Sequence, residues 1–179
     1  MYCGNNKVAL ASQRQIARAL MRLIEEKPYQ DISISELCKT AGISRQTFYT
    51  LFTSRDNVVT FTLQEQYGYA PDREDDPCDS GLSHLCRGYS AYNTSHREFL
   101  RMLVENHIEY LLYDSIHDAL SACPCFLETM PDAQRQYAAD FYAGGITGVV
   151  KRYALCGCHT SPEELSEILC GLFGGNCFS

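Results

Sequence analysis

The chain has 179 residues, of which 45% are hydrophobic and 21% are charged, a balance typical of a folded globular protein. No apolar run approaches the roughly 18 residues that a membrane span needs. The N-terminus also lacks the basic and apolar regions of a signal peptide. We therefore expect a cytoplasmic protein with no membrane partner, whose ten cysteines are free thiols.

The net charge of −7 is distributed unevenly along the chain. Residues 1–60 carry a net charge of +3, whereas residues 61–179 carry a net charge of −10. Positive charge attracts polyanions and negative charge repels them. The first third of the chain is therefore the part expected to meet a nucleic acid.

The spacing of apolar residues predicts helices throughout the chain, without strand patterns or repeats. The first helix is expected from about residue 9 to residue 26, and it stops before Pro28. A short second helix opens at Ser33, which forms a capping box with Glu36. Gly42 ends this helix, because glycine tolerates the left-handed conformation that follows a helix.

A third helix opens at Ser44, only a few residues after Gly42, and runs to about Leu51. Ser54 begins a fourth helix that is expected to extend to about Tyr69. Two short helices joined by a tight turn that contains glycine are a helix-turn-helix, in which the second helix enters the major groove of DNA.

The rest of the chain is predicted to be a helical body. Prolines, a glycine and five acidic residues make 71–81 a loop. Ser95 and Glu98 form a second capping box, one long helix covers Asp132–Leu155, and Ser161 caps the last helix. The predicted fold is all-α with about nine helices.

The predicted recognition helix has one face to bury and one to expose. Phe48, Leu51 and Phe52 lie on the face that can be buried, and polar residues occupy the other. Arginine can bond guanine, glutamine can pair with adenine, and threonine can contact a thymine methyl group. Tyr49 and Arg55 are better placed for phosphates, which also suit the amide groups at a helix N-terminus. The candidate DNA-binding residues are Ser33, Ser44, Arg45, Gln46, Thr47, Tyr49, Thr50, Ser54 and Arg55.

The run Asp31–Val59 resembles the DNA-binding domain of the TetR family of bacterial transcriptional regulators. The resemblance is carried by the Ala-Gly-Ile-Ser turn, the Thr-Phe-Tyr-x-x-Phe recognition helix and the Ser-Arg-Asp entry to the next helix. The close match covers residues 9–62. The family usually carries lysine at the position of Arg55, and either side chain can hold a phosphate, although with different geometry.

The later segment Phe141–Val150 resembles the penultimate helix of many family members, which forms a four-helix dimer interface with the last helix. Gly144 and Gly148 lie four residues apart, on one helical face that a partner helix can approach closely. The chain lacks the tryptophan that members often carry near Tyr153. The candidate interface residues are Gly144, Gly148, Val149, Leu165, Ile168, Leu169 and Leu172.

The resemblance implies a homodimeric repressor that binds a near-palindromic double-stranded DNA operator. Residues 1–62 would form the DNA-binding domain, and residues 63–179 would form a regulatory and dimerisation domain that binds an unknown small-molecule effector. No cofactor is implied. The chain also resembles the branch of dihydroxyacetone kinase regulators. The candidate effector-binding residues are Tyr89, Tyr92, Phe99, Met102, His107, Tyr110, Phe141 and Tyr142.

The sequence also bears on other functions. The chain lacks a phosphate-binding glycine loop, a nucleophile elbow and a zinc-protease motif, so we do not expect an enzyme. A TetR-like coactivator that acts through a protein partner is the alternative. The pairs Cys123/Cys125 and Cys156/Cys158 raise the hypothesis of a metal or redox sensor, although their spacing is not that of a structural zinc site. No metal ligand is assigned.

Overall fold

A computed structural model of the chain describes residue 4 and residues 6–66, 81–122 and 127–174. Every regular element in these ranges is helical, which confirms the all-α prediction. A 3₁₀ turn, Tyr29–Asp31, lies between the first two α-helices. The helices are α1 (Lys7–Glu26), α2 (Ile34–Ala41), α3 (Arg45–Leu51), α4 (Arg55–Gln66), α5 (Gly81–Ser95), α6 (Arg97–Glu105), α7 (Tyr110–Ala122), α8 (Asp132–Leu155) and α9 (Pro162–Phe173).

The helices divide between two compact units, Met1–Gln66 and Tyr67–Ser179. The first contains α1 to α4 and the second contains α5 to α9. None of the helices in the described ranges is long and apolar enough to cross a membrane.

Serine caps begin four of the helices, as the sequence predicts. The Oγ atoms of Ser33, Ser44, Ser54 and Ser161 accept backbone N–H groups three residues later, at 3.1, 3.0, 3.2 and 3.2 Å. Gly42 ends α2 in the left-handed conformation, with φ of 65°. A side chain at this φ is strained, so this turn depends on glycine.

The capping box predicted at Ser33 forms, whereas the one predicted at Ser95 does not. The Glu36 carboxylate accepts the backbone N–H of Ser33 and also binds Lys27 Nζ at 2.5 Å. Ser95 does not cap α6, because it is the last residue of α5 and its hydroxyl donates to the Ala91 carbonyl at 2.6 Å. The predicted loop 71–81 and the predicted end of α4 at Tyr69 lie outside the described residues, except that Gly81 begins α5.

The core of the first unit is built from large apolar side chains of α1, α2 and α3. Ile16, Leu20, Leu37 and Phe48 are all 0% exposed, and Phe52 is 1% exposed. Burial of one such side chain contributes about 1.5–3 kcal/mol. These residues hold the helix-turn-helix to α1, which fixes the face that α3 presents to solvent.

The second unit is a bundle in which α5 packs along α9 and α8 packs against both α6 and α7. Leu100 and Leu103 of α6, Leu112 of α7 and Leu169 of α9 are among its fully buried side chains. The 24-residue α8 is the longest helix in the described part of the chain.

Candidate nucleic-acid interface

Helix α3 has a buried apolar face and an exposed polar face. Phe48 is 0% exposed and Leu51 is 4% exposed, whereas Tyr49, one residue after Phe48, is 49% exposed. The Tyr49 ring packs edge-on against Phe48, with 5.5 Å between ring centroids. The other exposed residues of this helix are Arg45, Gln46 and Thr50, and Thr47 is half-buried. The exposed face therefore carries a guanidinium, an amide, a phenol and a hydroxyl.

Hydrogen bonds within the helix orient the two threonines of this face. The Thr47 and Ser44 hydroxyls lie 2.9 Å apart, and the Thr50 hydroxyl donates to the Gln46 carbonyl at 3.0 Å. These bonds hold the hydroxyls close to the backbone. The methyl groups of the threonines and the longer side chains of Arg45 and Gln46 are then the groups best suited to reach a base edge.

The capping serines are candidates for phosphate contacts rather than base contacts. Ser33 Oγ accepts the amide of Glu36, and Ser54 Oγ accepts the amide of Asn57 at 3.2 Å. A hydroxyl that accepts a backbone N–H still has its own O–H to donate. Ser33 is exposed and Ser54 is half-buried.

Arg55 has a different place from the one expected. Its Nη1 atom donates to the backbone carbonyls of Tyr29 at 2.7 Å and Gln30 at 3.2 Å, and also to that of Ile32. The guanidinium carbon lies 4.8 Å from the centroid of the Tyr29 ring. The expectation that Arg55 points to a phosphate therefore needs revision, because this nitrogen binds the turn between α1 and α2.

Further contacts join α1 to the end of α2 and the turn Tyr29–Asp31 to α4. The Tyr29 hydroxyl donates to Asp56 Oδ1 at 2.5 Å, and Gln15 Nε2 donates to the Ala41 carbonyl at 2.6 Å. The sequence patterns predict neither contact, since the partners are 27 and 26 residues apart. In the sequence, the only indication of the Tyr29 contact is an aromatic residue directly after Pro28. In the structure Tyr29 is 3% exposed, and a buried tyrosine usually has a hydrogen-bond partner for its hydroxyl.

The pKa values of Glu36 and Cys38 in this unit are shifted from their usual values. The hydrogen bond from Lys27 lowers the pKa of Glu36 below its usual value. Burial raises the pKa of the Cys38 thiol, and the positive charge of Arg45 opposes that shift. Cys38 is 3% exposed and packs as a core side chain.

The predicted effector-binding residues do not all line one interior space. Tyr89 is 9% exposed and Tyr92 is half-buried, and burial raises the pKa of Tyr92. In contrast, Tyr110 is 48% exposed, Phe141 is 64% exposed and His107 is also exposed. These three are surface residues of the protomer, and their role in effector binding stays a prediction. The remaining predicted residues, Phe99, Met102 and Tyr142, are half-buried.

The predicted dimer residues also divide into two groups. Gly144, Gly148, Ile168 and Leu172 are exposed, and a Cβ atom built on Gly148 meets no other atom within 4 Å. Leu165 and Leu169 are 2% and 1% exposed, and Val149 packs on the core cluster around Leu165. Leu165 and Leu169 lie on the inner face of α9 and stabilise the protomer, so their assignment to the interface is wrong.

The predicted cysteine sensor finds no support. Cys123 and Cys125 lie outside the described residues. Cys156 is exposed, while Cys158 is 8% exposed and burial raises its pKa. Among the residues that the structure describes, no three His, Cys, Asp or Glu side chains are grouped to hold a metal ion.

Two family models match the chain. The model described as "Bacterial regulatory proteins, tetR family" matches residues 16–60, which include α2 and α3. The model described as "Transcriptional regulator C-terminal region" matches residues 88–175, most of the second unit.

The curated relatives match a limited part of the chain. The dhaKLM operon transcriptional activator DhaS of Lactococcus lactis is 32% identical over 63 residues, 35% of this chain and 34% of DhaS. The transcriptional regulator EthR of Mycobacterium tuberculosis is 51% identical over 41 residues, 23% of this chain and 19% of EthR. The matched part therefore spans about a third of DhaS and a fifth of EthR.

A solved structure resembles the chain over nearly its whole length. The dihydroxyacetone kinase operon activator DhaS superposes with a TM-score of 0.55, covering 93% of this chain and 96% of that one. The sequence identity is 19%, so this likeness shows the fold alone.

Proposed function

The chain belongs to the TetR family of bacterial regulatory proteins, and on that premise we propose that it is a homodimer that binds a near-palindromic DNA operator in response to a small-molecule effector. Its class, a helix-turn-helix transcriptional regulator and not an enzyme, follows from the family. The operator, the dimer, the effector and the sign of regulation are proposals.

The exposed polar face of α3 is the observation that carries the DNA-binding proposal. Phe48 and Leu51 anchor this helix, so the side chains of Arg45 and Gln46 are presented from a fixed backbone. We assign Arg45, Gln46 and Thr47 to bases, and Ser33, Ser44, Tyr49, Thr50 and Ser54 to phosphates or groove walls. We assign Arg55 instead to stabilising the fold of the first unit.

A homodimer is supported by apolar side chains on the surface of the second unit. Along α8, Tyr137 is 79% exposed, Phe141 is 64% exposed and Leu155 is 62% exposed. Ile168 and Leu172 on α9 are 43% and 45% exposed. Exposed apolar side chains concentrated on two helices favour a protein interface. A twofold dimer would place two α3 helices about 34–36 Å apart, one turn of DNA.

An effector is supported by a buried polar atom on α5. Ser90 is 1% exposed, and its Oγ has no hydrogen-bond partner within the described part of the protein. A buried hydroxyl without a partner costs about 1–3 kcal/mol, and a ligand that bonds it would recover that energy. We therefore centre the proposed effector site on Ser90, Tyr89 and Tyr92 rather than on the larger predicted set.

The test is selection of bound DNA from a random pool, with Arg45→Ala as the matched variant. The wild-type dimer is expected to enrich a near-palindrome. The variant, whose changed side chain is exposed, should lose preference at one base position per half-site, about 1–3 kcal/mol of discrimination. If folded dimer enriches nothing at low salt, the DNA-reading proposal fails and a coactivator that acts through a protein partner takes its place.

The sign of regulation needs a second measurement. The sequence resemblance favours a repressor, whereas the relative DhaS is named as an activator. A reporter gene behind the selected operator distinguishes the two, since a repressor lowers transcription and an activator raises it. Action on chromosomal DNA would place the protein in the cytoplasm.

A further inference from the structure

Two cysteines that are far apart in sequence meet where α5 packs along α9. Cys86 of α5 is 2% exposed, and Cys170 of α9 is half-buried. The two thiols are close enough to hydrogen-bond each other, and both are reduced. The sequence patterns point only to cysteines that are neighbours along the chain, so they do not predict this pair.

Small residues surround the pair on both helices. Ser90 follows Cys86 by one turn and is 1% exposed, and Ser166 precedes Cys170 by one turn and is 9% exposed. Small side chains at a helix contact let the two backbones approach closely. A close approach favours a disulfide, which needs Cα atoms about 4.4–6.8 Å apart.

We propose that Cys86 and Cys170 are a modification site, at which a hydroperoxide oxidises the two thiols to an intramolecular disulfide that joins α5 to α9. The proposal does not depend on DNA binding, because it rests on the packing of two helices within the second unit.

The chemistry begins at Cys170, because its side chain is the more accessible of the two. Its thiolate attacks one oxygen of hydrogen peroxide and the O–O bond breaks. This gives a sulfenic acid, and the hydroxide that leaves takes up the thiol proton to become water. The Cys86 sulfur then loses its proton and attacks the sulfenic sulfur, so that the S–S bond forms and a second water leaves. Two thiols are oxidised and one peroxide is reduced.

The burial of Cys86 suits it to the second step. Burial, together with the neighbouring Cys170, raises the pKa of Cys86 to about 12, so its thiol is protonated at neutral pH. A protonated buried thiol reacts slowly with a reagent in solution. With a sulfenic acid formed in contact with it, the Cys86 thiol reacts faster, because that reaction is intramolecular.

The other cysteines in the described residues are not paired with a second thiol across two helices. Cys38 lies in the other unit and is 3% exposed, so peroxide has little access to it. Cys158 packs in an apolar cluster with Val104 and Leu165. Cys156 is exposed, so it favours disulfides between molecules. These differences supply internal controls for the experiment.

The experiment treats the folded full-length protein with hydrogen peroxide and then blocks free thiols with an alkylating reagent. Chymotryptic peptides are then mapped without reduction. Trypsin is unsuitable, because its fragments 74–87 and 153–179 each contain more than one cysteine. We expect a linked peptide pair that contains Cys86 and Cys170, which is absent after urea unfolding before oxidation or after treatment with dithiothreitol.

Variants assign the linkage. Cys170→Ser and Cys86→Ser should abolish the linked pair, whereas Cys158→Ser, also a replacement of a buried thiol, should retain it. The oxidised wild type should unfold at a higher temperature than the reduced protein, and this shift should be missing in Cys170→Ser. Oxidation of folded wild type to sulfinic acids, or to disulfides between molecules, without the 86–170 linkage would overturn the proposal. That result needs no variant to fold, and it leaves the DNA-binding proposal intact.

Discussion

Replacement of Arg55 distinguishes two roles that the sequence alone cannot separate. The side chain either binds a DNA phosphate or stabilises the fold of the first unit. In the structure, Nη1 of Arg55 donates to the carbonyls of Tyr29, Gln30 and Ile32. The guanidinium also lies over the Tyr29 ring at 4.8 Å. Arg55→Ala removes all of these contacts at the start of α4.

The expected loss of stability follows from these contacts. Nη1 carries two N–H groups, so the three carbonyls share two hydrogen-bond donors. Each donor contributes about 1–1.5 kcal/mol to stability at a half-exposed site. The cation–π contact adds about 0.5–1 kcal/mol. We therefore expect Arg55→Ala to lower the free energy of unfolding of the first unit by about 3 kcal/mol.

Urea unfolding followed by circular dichroism measures this loss. Fluorescence must rely on tyrosine, since the chain has no tryptophan. DNA affinity is then measured at several salt concentrations. Each phosphate contact contributes about 0.9 to the slope of log K against log salt. We expect Arg55→Ala to weaken binding but to leave this slope unchanged.

Arg55→Lys is the matched control, because lysine keeps the charge but lacks the planar fork that reaches several carbonyls and stacks on tyrosine. We expect this variant to lose most of the stability that the alanine variant loses. A slope that falls by about 2 per dimer in Arg55→Ala, with stability unchanged, would refute the structural role and restore the phosphate contact.

Three further predictions concern a helix cap, the dimer face and an ion pair. Ser44→Ala removes the cap of α3 and should cost about 1 kcal/mol in urea unfolding; an unchanged midpoint would mean that solvent replaces the cap. Gly148→Leu should shift the dimer to monomer in sedimentation without unfolding the protomer, since a Cβ there meets nothing within 4 Å; an unchanged dimer would move the interface elsewhere. The Lys27 hydrogen bond lowers the pKa of Glu36 in the folded state, so its stabilisation is present above the unfolded pKa near 4.5 and is lost as the pH falls through the lower folded value. Lys27→Met should make the free energy of unfolding depend less on pH in that acidic range. An unchanged pH profile in the variant would contradict the assignment.

The sequence alone determined the features that depend on residues three or four positions apart. The caps at Ser33, Ser44 and Ser161 were predicted because a serine hydroxyl accepts an amide within the first turn of its own helix. Gly42 marked the turn for the same local reason, the positive φ of 65° that follows α2. The helix-turn-helix and its family were therefore evident from local patterns of residues.

Only the tertiary structure decided which distant groups meet. Arg55 carries the same positive charge whether it faces a phosphate or a carbonyl, and the position of the turn Tyr29–Asp31 selects the carbonyls. Leu165 and Ile168 share one apolar pattern on α9, yet the first is 2% exposed and the second 43%, because packing fixes how the helix is rotated. Cys86 and Cys170 meet for the same reason: long-range packing brings together residues whose sequence spacing carries no signal.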